Sequence, residues 1–115
     1  WVAYNPFAVT LSSPAVAAGR VYIGSTDSVF TAHDADTGAI VWRKDVQSYT
    51  SSPAVANGVV YAGGGLGLNM LDAMSGTILK TFDVGFAYYS SPVVVNGMVY
   101  VGSFNGKVYA FGLPD

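Results

Sequence analysis

The sequence predicts an all-β fold, a β-propeller arc of about three four-stranded antiparallel blades. The first observation is a stretch that occurs three times, at positions 12–24, 51–63 and 90–102, so that both offsets are 39 residues. The second is that short runs of β-branched and aromatic residues alternate with Gly-containing turns, with no sustained helical period. A repeat of this length, built from strands and turns, is typical of propeller blades.

Each repeat divides into short strands separated by turns. The first turn is Ala18-Gly19 in one repeat and Asn-Gly at positions 57–58 and 96–97 in the others. Asn-Gly between β runs is a strong hairpin signal because both positions tolerate positive φ. The four strands of the first repeat are predicted at 14–17, 21–23, 29–33 and 39–44, and the second repeat follows the same plan.

The chain is predicted to form one module over residues 1–115. Residues 1–11 are interpreted as the last strand of a preceding or closing blade, 12–50 and 51–89 as blades, and 90–115 as three strands of a blade. Because propellers contain about 4–8 blades, such an arc should not close on itself. Two completions are open: a homodimer of six blades, or further blades of a longer chain, which the missing initiator Met favours.

Composition excludes several classes of protein. The chain is 51% hydrophobic but only 10% charged, and polar or Gly residues interrupt every apolar run before it reaches the ~20 residues of a membrane helix. The net charge is −2 and no basic cluster exceeds Arg43-Lys44, which argues against nucleic acid binding. The absence of cysteine excludes disulfides and thiolate chemistry within these residues.

Residues 32–42 read Ala-His-Asp-Ala-Asp-Thr-Gly-Ala-Ile-Val-Trp. This segment resembles the tryptophan-docking motif A-x-D-x-x-T-G-x-x-x-W of the PQQ enzyme-like β-propeller repeats, where PQQ is pyrroloquinoline quinone. With Ser-Ser-Pro at each repeat start, the resemblance covers nearly the whole chain. The second repeat departs from the pattern because Lys80 stands where Trp42 would fall, so we expect that blade to dock less well. The resemblance implies an extracytoplasmic location: periplasmic, cell-surface or secreted.

The enzymes of this family hold PQQ with a calcium ion, using a catalytic Asp, a Glu ligand, a stacking Trp and an adjacent Cys pair. This chain has no Glu and no Cys, and its Asp residues fall mostly in predicted turns. We therefore predict no catalytic, cofactor-binding or metal site here; PQQ and calcium would need ligands from a longer parent chain. His33, the only histidine, aligns with Leu71 and Phe111 and is predicted to occupy a half-buried strand position.

The loops that join fourth to first strands, and second to third strands, are predicted to lie on one face of the propeller. They carry aromatic side chains beside Asn and Asp, a composition that suits a protein partner or a small ligand. The alternative is that each Tyr packs between blades. The candidate binding face comprises Tyr4, Asn5, Asp27, Tyr49, Tyr88, Tyr89, Phe104 and Asn105.

The preferred functional hypothesis is a non-catalytic binding scaffold in the cell envelope or secreted from the cell. A fragment of a PQQ-dependent dehydrogenase propeller is the first alternative. The second is a structural or cell-surface assembly protein that uses open blade edges. Fold alone does not decide among these classes.

Overall fold

The computed structural model describes residues 1–3, 13–24, 29–46, 52–65, 67–86 and 91–113. Within these ranges the chain forms eleven strands, and no helix that is long and apolar enough to cross a membrane. The strands are β1 (Ala15–Ala17), β2 (Arg20–Gly24), β3 (Val29–Asp34), β4 (Ile40–Asp45), β5 (Ala54–Ala56), β6 (Val59–Gly64), β7 (Gly67–Asp72), β8 (Ile78–Phe82), β9 (Val93–Val95), β10 (Met98–Gly102) and β11 (Val108–Gly112).

The strands form three antiparallel meanders. The first sheet has the order β1-β2-β3-β4, the second β5-β6-β7-β8, and the third β9-β10-β11. The innermost strands begin at Ala15, Ala54 and Val93, which repeats the 39-residue period of the sequence. The predicted all-β propeller fold is thus confirmed. Most of the fourth strand predicted over 1–11 lies outside the described residues.

The first hairpin turn of each sheet has the same backbone conformation. Ala18, Asn57 and Asn96 have φ values of 50°, 52° and 50°, and the Gly that follows each has a φ between 74° and 77°. Two consecutive positive φ values are the mark of a type I′ turn, whose twist matches that of the flanking strands. The Ala18-Gly19 turn adopts this conformation without the Asn that favours it.

The two central strands of the second sheet, β6 and β7, are buried on both faces, which explains their nearly continuous apolar sequence. Val60, Ala62 and Leu71 pack toward the first sheet, while Tyr61, Leu68 and Met70 pack toward the third. Successive residues of a strand point to opposite faces, so both faces of β6 and β7 are mainly apolar. The one buried polar side chain in these two strands is Asn69, whose Oδ1 accepts a hydrogen bond from the Thr81 hydroxyl at 3.0 Å. Equivalent tyrosines show the effect of position in the arc: Tyr22 and Tyr61 are 1% exposed, whereas Tyr100 of the third sheet is 39% exposed.

The second Ser of each Ser-Ser-Pro segment links neighbouring sheets. The Ser13 backbone N–H donates to Ser52 Oγ at 2.8 Å, and the Ser52 N–H donates to Ser91 Oγ at 3.0 Å. The three residues are 39 positions apart, and each lies just before the innermost strand of its sheet. This ladder therefore repeats at both junctions and helps set the spacing of the sheets.

Candidate functional site

Two loops of the predicted binding face meet in the structure. Phe86 follows β8 in the connection toward the third sheet, and Phe104 lies between β10 and β11. The Phe104 N–H donates to the Phe86 carbonyl oxygen at 3.0 Å. Both side chains are 56% exposed. A fourth-to-first connection and a second-to-third loop therefore present large apolar side chains at the same edge.

Asn105 organises the loop that carries Phe104. Its Oδ1 accepts a hydrogen bond from the Lys107 N–H at 2.9 Å, and its Nδ2 donates to the Tyr109 hydroxyl at 2.7 Å. Its own N–H donates to Ser103 Oγ at 3.3 Å. These bonds mimic and reinforce a backbone turn, as Asn side chains often do. Asn105 thus has a positioning role in this loop.

The other six residues of the predicted face lie outside the described residues. Whether their side chains bind a partner or pack between blades stays a prediction. They are Tyr4, Asn5, Asp27, Tyr49, Tyr88 and Tyr89.

Trp42, on the outer strand of the first sheet, joins that sheet to the second at the opposite edge from the loop face. Its Nε1–H donates to the Ala73 carbonyl oxygen at 2.9 Å. Its ring lies against Gly76, where a Cβ atom would fall 2.6 Å from Trp42 Cδ2. The same carbonyl accepts from Arg20 Nη1 at 2.9 Å and from the Tyr22 hydroxyl at 3.3 Å. Three donors of one sheet therefore converge on a single turn of the next.

Trp1 makes the equivalent contact with the first sheet. Its Nε1–H donates to the Ala35 carbonyl oxygen at 2.7 Å, and its ring packs directly on Gly38. Ala35 and Gly38 occupy the positions in their turn that Ala73 and Gly76 occupy in theirs. This contact could not be predicted from the sequence, because the acceptor is a backbone carbonyl with no sequence signature.

His33 lies beneath the Trp1 ring, with ring centroids 6.2 Å apart and planes 18° apart. Its Nδ1 is 3.0 Å from the Gly38 carbonyl oxygen, which can only accept, so Nδ1 carries a proton. Its Nε2 lies 3.1 Å from Thr31 Oγ1, and that hydroxyl also contacts the Ile23 carbonyl oxygen at 3.4 Å. Both nitrogens are used, in agreement with the structural role predicted for this residue.

The aspartates at the turns between third and fourth strands cap those turns. Asp34 Oδ1 accepts from the N–H groups of Asp36 at 2.8 Å and Thr37 at 2.9 Å. The bonds from Thr37 and then Asp36 lower the pKa of the Asp34 carboxyl, because they favour its charged form. Asp72 Oδ1 makes the same pair of bonds with Met74 and Ser75.

The described residues do not fit a PQQ–calcium site. Calcium needs six or more converging oxygen ligands, and the part of the chain that the structure describes holds no cluster of three or more His, Cys, Asp or Glu side chains. Asp34 and Asp72 are engaged by their own turns. The sequence also lacks the Glu and Cys of the family's enzymes.

The second and third sheets meet without a tryptophan. Lys80 Nζ lies 4.8 Å from the centroid of the Phe82 ring, and Phe82 stacks on Phe111 with centroids 4.1 Å apart and planes at 16°. At this junction the outer strand therefore contributes a stacked pair of phenylalanines and no indole N–H bond.

Comparison with known proteins places the chain in a family. The family model described as "Outer membrane protein assembly factor BamB" matches residues 7–114. BamB from Moraxella catarrhalis is 24% identical with a TM-score of 0.84; the match covers 98% of this chain and 36% of that one. Quinohemoprotein alcohol dehydrogenase ADHIIG from Pseudomonas putida HK5 is 27% identical with a TM-score of 0.78, covering 95% and 20%. The computationally designed Ika4 protein is 17% identical with a TM-score of 0.68, covering 88% and 64%.

The search of curated proteins found no match. The chain spans about a third of the BamB structure and a fifth of the dehydrogenase, so the likeness to each concerns a few blades. The family model, in contrast, matches nearly every residue of the chain. The chain belongs to the PQQ-like repeat family whose model is described as outer membrane protein assembly factor BamB.

Proposed function

We propose that this chain is part of a non-catalytic propeller that binds a protein partner through its loop face and serves outer membrane protein assembly in an extracytoplasmic compartment. The family description supports the process and the location. The observation that carries the binding role is the pair Phe86 and Phe104, each 56% exposed. Aromatic side chains are enriched at protein interfaces and among the residues that dominate their affinity.

The described part of the loop face, around Phe86 and Phe104, is suited to binding because hydrogen bonds within the protein hold its two loops together. The Phe104–Phe86 backbone hydrogen bond ties two loops together, and the bonds of Asn105 to Lys107 and Tyr109 hold one of them in shape. A surface ordered in advance loses less conformational entropy on association. Because the loops come from different sheets, the face depends on an intact junction between the second and third sheets.

Site-specific photo-cross-linking in the cell envelope tests this proposal. A photoreactive phenylalanine analogue is placed at Phe86 or Phe104 in the natural protein, and at Met74 as the control. Met74 is 69% exposed but lies in the turn after β7, at the opposite edge of the sheets. We expect a discrete protein adduct from positions 86 and 104 and none from position 74.

Alanine substitutions separate binding from packing. Phe104→Ala should abolish the adduct formed from position 86 while leaving the thermal unfolding midpoint nearly unchanged, because the side chain is largely solvent-exposed. The double substitution of Tyr88 and Tyr89 by Ala should behave in the same way if both residues contact the partner. Equal adducts from all three positions, or none from 86 and 104, would refute the proposal.

The similarity to a quinohemoprotein dehydrogenase supports a second candidate, an arc of a PQQ-dependent enzyme. The described residues do not supply its ligands, so an adjacent Cys pair and a calcium-binding Glu would have to lie in a longer parent chain. Addition of PQQ and calcium to the purified parent protein, followed by its absorbance spectrum, distinguishes an enzyme from a scaffold. The scaffold proposal expects no bound quinone.

A separate proposal concerns how the propeller ring is completed. The three sheets described here are fewer than the roughly 4–8 blades of a closed propeller. Within the described residues β11 pairs only with β10, and an exposed strand edge is a template for another strand. Further repeats of a longer chain, or a second copy forming six blades, would cover it. A structural protein that polymerises through such edges would instead give filaments that grow with concentration. A stable monomer at 12.0 kDa would rule out the homodimer.

A further inference from the structure

The sequence contains three Asn-Gly pairs, at positions 57–58, 96–97 and 105–106. Asparagine is one of the thermally labile residues, because the backbone nitrogen of the next residue can attack its side-chain amide. A glycine in the next position has no Cβ in the path of this attack and leaves the backbone free to adopt the required conformation. The structure places the three pairs in two different environments.

Asn57 and Asn96 lie at exposed hairpin tips. Within the described ranges neither side chain forms a hydrogen bond, and neither do the N–H groups of Gly58 and Gly97. A Cβ on either glycine would meet no atom within 4 Å beyond its chain neighbours, so each tip can open without displacing packed atoms. Exposed turns of this kind open at little cost in free energy. The side-chain amide and the attacking nitrogen are therefore both available at these two pairs.

In the third pair, hydrogen bonds hold both reacting groups. Asn105 Oδ1 accepts from the Lys107 N–H at 2.9 Å, and its Nδ2 donates to the Tyr109 hydroxyl at 2.7 Å. The attacking group would be the Gly106 N–H, which donates to the Ser103 carbonyl oxygen at 3.1 Å. These bonds must break before the nitrogen can reach Cγ, and each of them adds to the cost of that step.

We propose that Asn57 and Asn96 are sites of spontaneous deamidation, whereas Asn105 is protected by its loop. The glycine nitrogen loses its proton to hydroxide and forms a bond to the asparagine Cγ, the Cγ–Nδ2 bond breaks, and ammonia leaves. The product is a cyclic succinimide. Water then opens this ring at either carbonyl carbon, which gives aspartate or isoaspartate. Water is the only co-reactant, because the two groups belong to adjacent residues and react intramolecularly.

Deamidation would change the first hairpin of the second and third sheets. The first sheet is exempt because Ala18 holds the equivalent position. Either product replaces a neutral amide by a carboxylate, and isoaspartate also adds a carbon atom to the backbone. A two-residue turn with two positive φ values fixes the register of its hairpin. Isoaspartate at position 57 or 96 should therefore weaken the pairing of β5 with β6 or of β9 with β10.

Peptide mapping by mass spectrometry tests this proposal, after the folded natural protein has been incubated at mildly alkaline pH. Trypsin cleaves after Lys80 and Lys107, so Asn96 and Asn105 fall in one peptide whose fragment ions report on both positions. We expect Asn57 and Asn96 to convert at least about tenfold faster than Asn105, which is the ratio expected from the two or three hydrogen bonds that must break.

Two controls separate the effect of the folded structure from that of the sequence. In concentrated urea all three pairs should convert at similar rates, because each is an Asn-Gly pair without its native hydrogen bonds. Tyr109→Phe removes the acceptor of the Asn105 Nδ2 bond and should accelerate conversion of Asn105 about threefold in the folded protein. Tyr100→Phe, a matched change on β10 of the same sheet, should leave that rate unchanged.

Equal rates at Asn96 and Asn105 in the folded protein would overturn the proposal. So would a lack of conversion at Asn57 and Asn96 under conditions that convert them in urea, or an unchanged Asn105 rate in Tyr109→Phe. Circular dichroism establishes that each variant is folded. None of these measurements involves a binding partner, so their failure is distinguishable from failure of the proposed scaffold function.

Discussion

Replacement of Trp42 by Ala should be among the most damaging single changes in the described part of the chain. The substitution removes the Nε1–H bond to the Ala73 carbonyl and the ring contacts with Tyr22 and Phe30, both 6.0 Å between centroids. Loss of a buried Trp costs about 3–5 kcal/mol, and Trp42 is only partly buried. We therefore expect about 3 kcal/mol, which corresponds to a fall of about 10 °C in the unfolding midpoint.

Substitution of Gly76 tests the contact between this residue and the Trp42 ring. A Cβ at this position would lie 2.6 Å from Trp42 Cδ2, and the φ of Gly76 is +77°. Gly76→Ala therefore carries two costs in the native protein, overlap with the ring and a left-handed backbone conformation worth about 1–2 kcal/mol. In the Trp42→Ala background only the backbone cost is left. The double-mutant cycle should accordingly show a coupling of about 1 kcal/mol or more.

Thermal and urea unfolding, followed by circular dichroism at one protein concentration, measure these effects. Lys80→Ala is the matched control because Lys80 holds the equivalent position in the second sheet; its exposed contact with Phe82 is worth less than about 1 kcal/mol. A cost for Lys80→Ala equal to that of Trp42→Ala would refute the reasoning. So would strict additivity of Trp42→Ala and Gly76→Ala.

Two further predictions concern turns. Ala18→Asn should stabilise the protein by about 0.5–1 kcal/mol, because Ala18 has a φ of 50° that Asn tolerates better than Ala; the reverse change at Asn57 should destabilise it by a similar amount in the same unfolding assay. Asp34 contributes stability that is present above its unfolded pKa of about 3.9 and is lost as pH falls through its lowered folded pKa. The midpoint difference between the native protein and Asp34→Asn should therefore shrink from pH 7 to pH 3, and a constant difference would contradict this.

The repeat made the fold predictable from sequence to within one or two residues of most strand ends. The fourth strand of the first repeat, predicted at 39–44, runs from Ile40 to Asp45, and the third ends at Asp34. This accuracy has a physical source, since Asn-Gly or Ala-Gly turns with two positive φ values admit few alternatives. Strands bounded by such turns have little freedom to shift register.

The candidate site was less predictable. Phe104 could be placed on the loop face because connection order fixes which loops share an edge. The role of Asn105 could not, since its partners Lys107 and Tyr109 depend on the loop conformation. The Trp1 contact was also missed, because its acceptor is the carbonyl of Ala35 and any residue could supply that atom.

The junction between the second and third sheets shows why the repeat predicts the fold better than the function. Where Lys80 replaces the indole, Met70 and Phe111 stand at the positions of Ala32 and Leu71, so larger side chains occupy part of the space that the ring fills elsewhere. The hydrogen bond between Ser52 and Ser91 nevertheless matches that between Ser13 and Ser52.

Sheet spacing is therefore held in part by backbone and hydroxyl groups close to the inner strands, which recur at both junctions. The outer side chains fill whatever volume that spacing leaves, and volume can be filled in several ways. Sequence differences between repeats therefore cost little stability at the flanks and loops. The Ser-Ser-Pro segments and turn glycines identify the fold, whereas positions such as Lys80 and Phe104 differ from repeat to repeat.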